Sequence, residues 1–161
     1  MKLWITNKQD VHRVSMCRIK RFFTQTAEHF LGMCHGTKWT ELSLVLTDHA
    51  GISRINQGYL DVADTTDVIA FRYDSIPGEA DCVSGEIFVN IAQSVELGPA
   101  HGGCSRELAL YIAHGCDHLS GEDDHSSAGY VRMRQRELRW LRSAASDGLL
   151  RLPMLPGTRT P

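Results

Sequence analysis

The chain has 161 residues, an apolar fraction of 42%, a charged fraction of 22% and a net charge of −2 with histidines neutral. That length suits one domain with its own core, and that charge excludes a protein held to nucleic acid by bulk charge alone. No run reaches the roughly 18 apolar residues of a membrane span, the opening MKLWITNKQD is unlike a secretory leader, and the five scattered cysteines form no CxxC pair, so a cytoplasmic protein with buried thiols is expected.

Lys2 to Thr6 alternates polar and apolar and reads as a short strand. Ser15 to Leu31 carries Met16, Ile19, Phe22, Phe23, Ala27, Phe30 and Leu31 at helical spacing and stops at Gly32. Arg18, Lys20 and Arg21 on this helix form a small basic group, either a guide for phosphate or a solvated face. Leu42 to Leu46 (LSLVL) is a β-rich run, and Asp48 then caps a helix with Ile52, Ile55 and Tyr59. Val68 to Phe71 (VIAF) and Glu86 to Ile91 (EIFVNI) are two more strands, joined through a loop holding Pro77 and Gly78. Ser105 is expected to cap a helix, RELALYIAHGCDHL, that ends near Gly121. Ser126 or Ser127 caps a last helix to about Ala145, whose arginines at 132, 134, 136, 139 and 142 read as a solvated face. The order β-α-β-α-β-β-α-α implies a mixed layer fold over residues 1–150. The tail 151–161, rich in Pro, Gly and Thr, is expected to be poorly ordered.

The chemistry concentrates in HGCDHLSGEDDH. His114 and His118, four apart on a helix, lie on one face one turn apart and can hold a borderline-soft cation from the same side. Gly121 permits a sharp reversal that returns Asp123, Asp124 and His125 toward the ion. Three protein ligands leave a fourth position open, the pattern of a catalytic zinc. In helical zinc proteases the motif HExxH places a glutamate base after the first histidine. Here that residue is Gly115, which disfavours a protease. Asp117, Glu122 and Asp123 are the nearby acids that could move protons.

At these residues the sequence resembles the YbeY family of bacterial endoribonucleases linked to ribosomal RNA maturation, whose signature is H-G-x-x-H-x-x-G-x-D-H. The resemblance runs from about Leu3 to Leu141. NKQ is similar to the family's opening strand end and ELSLVLTD to its second strand. INQGYLDVADTTDVIAF resembles N-x-x-Y-R-x-x-D-x-P-T-D-V-L-S-F, and SGEIFVN resembles L-G-D-I-x-I-S. The resemblance implies an α+β fold with a small mixed, mostly parallel four-stranded sheet covered by helices. It implies one zinc ion per chain, held by three histidines on a helix and the turn after it. It also implies metal-dependent hydrolysis of single-stranded RNA, in ribosomal RNA processing and ribosome quality control, with the ribosome or its associated proteins as partners.

Three positions depart from the family pattern. The family's third histidine falls at Asp124, and His125 comes one residue later. Either the turn holds an extra residue and the ligand set is His114, His118 and His125, which keeps three nitrogens, or Asp124 takes the role. The family arginine after the tyrosine is Leu60, for which Arg72 is a candidate substitute facing phosphate. The proline before T-D-V is Thr65, a local loop change beside Thr66 and Asp67, which are expected to fix the strand rather than do chemistry. Two other functions remain in view. One is a ribosome-associated assembly factor with a structural metal and no nuclease activity; the other is a metal-dependent hydrolase of small substrates or peptides.

Overall fold

The fold is described from a computed structural model, covering residues 1–34, 36–75, 82–152 and 154–156. The long elements follow the apolar pattern. Strand β1 spans Lys2–Asn7, helix α1 Met16–Leu31 and strand β3 Trp39–Thr47. Helix α2 covers His49–Leu60, where the Asp48 carboxylate accepts from the Gly51 N–H at 2.7 Å as the expected cap. Strands β4 (Val68–Tyr73) and β5 (Val83–Asn90) follow, and the Pro77–Gly78 loop expected between them lies outside the described residues.

Four short elements were not expected. Strands β2 (His12–Val14) and β6 (Met154–Pro156) pair antiparallel, so part of the tail expected to be poorly ordered is a strand; residues 153 and 157–161 lie outside the described residues. Helix α3 (Ile91–Leu97) starts where β5 stops, because the Asn90 side chain turns to accept from the Gln93 N–H at 3.2 Å. A 3₁₀ turn, Gly98–Ala100, then leads to α4 (Cys104–Leu119). Ser105 does not cap α4; Gly103 holds that position, and the Ser105 hydroxyl donates to the Leu152 carbonyl at 2.7 Å. Helix α5 (Ser127–Ser146) is capped by Ser126, whose Oγ accepts from the Gly129 N–H at 3.0 Å.

The main sheet has the order β1-β3-β5-β4, with β1, β3 and β5 parallel and β4 an antiparallel edge. This is the α+β, mostly parallel four-stranded fold expected from the sequence. The core lies between the sheet and helices α1 and α4, where Phe22, Phe23, Phe30, Leu44, Ile87 and Ile112 are wholly buried. Helix α4 is central, packing on α1, α3, α5, β4 and β5. It seats on the sheet at Gly115, where a Cβ would stand 2.6 Å from the Ile87 Cγ2 and 3.1 Å from the Val68 Cγ2. The glycine that departs from HExxH is therefore a point where helix and sheet approach too closely for a side chain. Among the described residues no helix is long and apolar enough to cross a membrane.

Candidate metal centre

Helix α4 is buried on nearly every side, yet its last two turns present His114 and His118 side by side, with His114 lining a cleft. The imidazoles meet edge to face with their Nε2 atoms 3.0 Å apart. Each Nδ1 faces an acceptor. That of His114 donates to the Glu137 carboxylate of α5 at 2.6 Å, and that of His118 donates to the Glu122 carbonyl at 3.3 Å. The proton of each neutral ring therefore sits on Nδ1, and both Nε2 lone pairs point into the same space.

After α4 the chain reverses at Gly121, whose φ of +99° only glycine adopts freely. The reversal is pinned by hydrogen bonds from the Gly121 N–H to the His118 carbonyl at 2.9 Å and from the Glu122 N–H to the Asp117 carbonyl at 3.4 Å. It brings Asp124 to the histidines: Oδ2 lies 3.7 Å from the His114 Nε2, and Oδ1 lies 3.9 Å from the His118 Nε2. Of the two alternatives for the third ligand, Asp124 thus faces the pair. The His125 side chain is 91% exposed, with its Nε2 3.7 Å from Asp123. His125, Asp123 and Asp124 make a second, more exposed group that shares only Asp124 with the first.

The donor set fits a zinc-like ion. Bonds of about 2.0–2.1 Å at tetrahedral angles separate ligand atoms by about 3.4 Å. The Nε2–Nε2 separation of 3.0 Å lies near that value, as do the Asp124 contacts, Oδ2 3.7 Å from the His114 nitrogen and Oδ1 3.9 Å from the His118 nitrogen. Two nitrogen lone pairs facing each other repel unless a proton or a metal ion lies between them. The carboxylate–imidazole contact from Glu137 is the outer-shell partner that metal-binding histidines commonly use. Burial pushes the His114 imidazole down, but the Glu137 hydrogen bond and charge, with Asp67 and Asp124, outweigh it and leave it above the ordinary histidine value. Burial and the neighbouring His114 push His118 down.

Glu137 had no place in the sequence-based site. It is 1% exposed in its side chain, and Arg134 reaches its other oxygen at 3.4 Å. Its signal was its place on the buried stripe of α5, four residues from both Met133 and Leu141. Of the α5 arginines expected on a solvated face, Arg132, Arg139 and Arg142 are exposed, and Arg134 and Arg136 are half-buried. Arg132 and Arg136 both pair with Glu122, Arg136 also pairs with Asp117 at 3.0 Å, and Arg134 lines the metal cleft.

The other candidates lie elsewhere. Asp117 is fully buried between Arg136 and Ser120, and burial raises its carboxyl to about 6. Glu122 is held by its two arginines, and Asp123 caps the His125 N–H at 3.0 Å. Arg72 is committed elsewhere than to the histidine pair: it donates to the Leu119 carbonyl at 3.2 Å and to Asp74 at 2.9 Å, closing the end of α4. The side chain of Leu60 lies outside the described residues. Arg18 and Arg21 line a separate groove with Leu149 and Arg151. The Asp67 carboxylate accepts from the Val68 N–H at 2.9 Å and from the Thr66 hydroxyl at 3.1 Å, fixing the start of β4, and it borders the cleft. That cleft holds about 360 Å³ and runs along α4 from His114 to Glu107, walled by Met133 and Arg134 of α5.

A family model described as "Endoribonuclease YbeY" matches residues 4–145. An "Endoribonuclease YbeY" of Salinibacter ruber is 38% identical over 112 residues, covering 66% of this chain and 71% of that protein. One of Geobacter sulfurreducens is 31% identical over 147 residues, covering 85% and 89%. The solution structure of TM1509 from Thermotoga maritima superposes with a TM-score of 0.59 at 17% identity over 90% of each chain, a likeness of fold.

Proposed function

We propose that this chain, which belongs to the YbeY endoribonuclease family, is a single-strand-specific, zinc-dependent endoribonuclease of ribosomal RNA maturation and ribosome quality control. It acts in the cytoplasm, with ribosomal RNA as substrate and the ribosome or its associated proteins as partners. The observation that carries the reading is the convergence of His114, His118 and Asp124 on one point, with Glu137 fixing His114 from behind at 2.6 Å.

His114, His118 and Asp124 would hold one zinc ion per chain, a two-imidazole, one-carboxylate set that catalytic zinc accepts. When bound, the ion supplies Lewis-acid catalysis of phosphodiester hydrolysis. The chain's own residues do the rest. Glu137 and the Glu122 carbonyl orient the two imidazoles, so the donors need no rearrangement on binding. Arg134, 40% exposed at the cleft wall, offers a guanidinium to the phosphate charge in place of the family arginine.

The test is the metal content of untagged protein by elemental mass spectrometry, followed by cleavage of a single-stranded and a hairpin RNA. One zinc per chain, lost in His118→Ala together with single-strand cleavage, is the expected result. The assembly-factor reading keeps one observation in its favour: Leu60 replaces the family arginine, and Arg72 is committed to the end of α4. One zinc per chain with no RNA cleavage after stringent purification would establish that reading instead.

A further inference from the structure

The 120–125 turn that carries Asp124 into the metal cleft also forms one wall of a second hollow, of about 620 Å³, between the end of α1 and the middle of α5. Ser120 and Glu122 of the turn line it, facing Phe30, Arg136, Arg139 and Trp140. We propose that this hollow binds a nucleobase and its phosphate in the RNA strand that the neighbouring metal cleft holds, a reading that rests on RNA being the substrate.

The floor is aromatic and fixed in advance. The Trp140 indole N–H donates to the Thr26 hydroxyl at 3.1 Å, and Thr26 is itself fully buried and bonded to the Phe22 carbonyl at 2.8 Å. The His29 imidazole already lies parallel to the indole, 4.4 Å away at 17°, so these rings adopt a stacked geometry without any ligand. A base that joins this surface meets side chains whose rotamers are already set, which lowers the entropy cost of binding. Base–aromatic stacking of this kind is tolerant of sequence, because every base has a π-face.

The polar groups supply the complement for a phosphate. Arg136 is held by Asp117 and Glu122 over the Phe30 ring, 5.8 Å from its centroid. Its charge is therefore largely offset. Arg139, one turn further along α5 at the exposed mouth, has no carboxylate partner among the described residues. It leaves an uncompensated cation beside an aromatic floor. A ligand with a planar ring and an anionic group uses both; an acidic peptide segment uses only the cation. The volume is in the range that accommodates small ligands of nucleotide size. Ser120 and Glu122 line this hollow and Asp124 of the same turn lines the metal cleft, so a single strand crossing the turn would reach both.

The probe is a single-stranded 2′-O-methyl hexanucleotide carrying one 2-aminopurine, whose fluorescence is quenched on stacking; its integrity is checked on a gel after titration. It is added to the full-length zinc-loaded protein, to Arg139→Gln and to Trp140→Leu. The wild type is expected to quench the probe. Arg139→Gln, an exposed change, weakens binding by about fivefold or more, and Trp140→Leu removes the quench. Zinc content and melting temperature are read on each variant, so a variant that fails to fold is recognised, and Arg139→Gln alone then decides. Equal quenching and equal affinity in wild type and Arg139→Gln would overturn the site. So would displacement of the probe by an oligoglutamate peptide as effective as that by unlabelled RNA. Neither result touches the zinc-dependent cleavage assay, which fails or succeeds through His118.

Discussion

Asp124 places its two carboxylate oxygens 3.7 and 3.9 Å from the two histidine nitrogens, while the His125 ring is 91% exposed. This predicts that Asp124→Ala lowers zinc affinity, measured by competition with a chromophoric chelator, and that His125→Ala leaves it unchanged. The reverse order would mean the turn rearranges around the ion. Glu137 makes a separate prediction. It touches no metal, but it fixes the His114 tautomer and raises its basicity, so Glu137→Gln should weaken zinc by about 10- to 100-fold. Glu137→Asp, which keeps the charge on a shorter stem, should recover part of that loss. The histidine pair was legible in the sequence because four-residue spacing on a helix fixes a shared face. The third ligand was not, since which of two adjacent side chains turns inward depends on backbone angles after Gly121 rather than on a count. Glu137 was hidden for another reason: it sits among five arginines, and a charge row reads as solvent-facing until the apolar positions on either side of it are weighed.

At the scale of elements, the helix caps separate stability from site geometry. Asp48 caps α2 away from the metal, and Ser126 caps α5 directly after the turn that carries Asp124. Replacing either with alanine should cost about 1 kcal/mol in denaturant unfolding. Only Ser126→Ala should also weaken zinc binding, because it loosens the segment that presents the carboxylate; equal zinc affinity in the two variants would show that the turn holds itself. Gly115 gives a second comparison of magnitudes. Alanine has a helix propensity about 1 kcal/mol better than glycine. Against this, a Cβ 2.6 Å from a methyl of Ile87 is an overpacking contact costing about 1–3 kcal/mol, and Ile87 sits in the middle of β5, where a β-branched side chain has little freedom. The contact should win, and Gly115→Ala should lower the melting temperature. The long elements were readable from periodicity alone. Strands β2 and β6, three residues each, are too short to show a period, and α3 follows β5 without any intervening turn because Asn90 ends one and caps the other.

For the whole molecule, the question is how far the fold depends on the ion. The core side chains of α1, β3, β5 and α4 are buried without any contribution from the 120–125 turn, and a domain of this length buries enough surface to fold unaided. The metal-free protein should therefore remain folded, unlike a zinc finger. The ion would still tie α4 to the turn, and through the His114–Glu137 contact to α5, so it binds the folded state and not the unfolded chain. Free zinc at about 1,000 times its dissociation constant adds about 4 kcal/mol of stability by mass action. In a domain of this size that raises the melting temperature by about 2–4 °C per kcal/mol, roughly 8–16 °C in all. Calorimetric scans in chelator and in zinc measure the shift directly. The same scans on Asp124→Ala should show a much smaller shift, while Arg139→Gln, outside the metal centre, should show the full one. A chelator-treated protein that is already unfolded at room temperature would make the metal structural as well as catalytic, and would move the weight of the assembly-factor reading upward. A full shift in Asp124→Ala would place the ion elsewhere than between α4 and its turn.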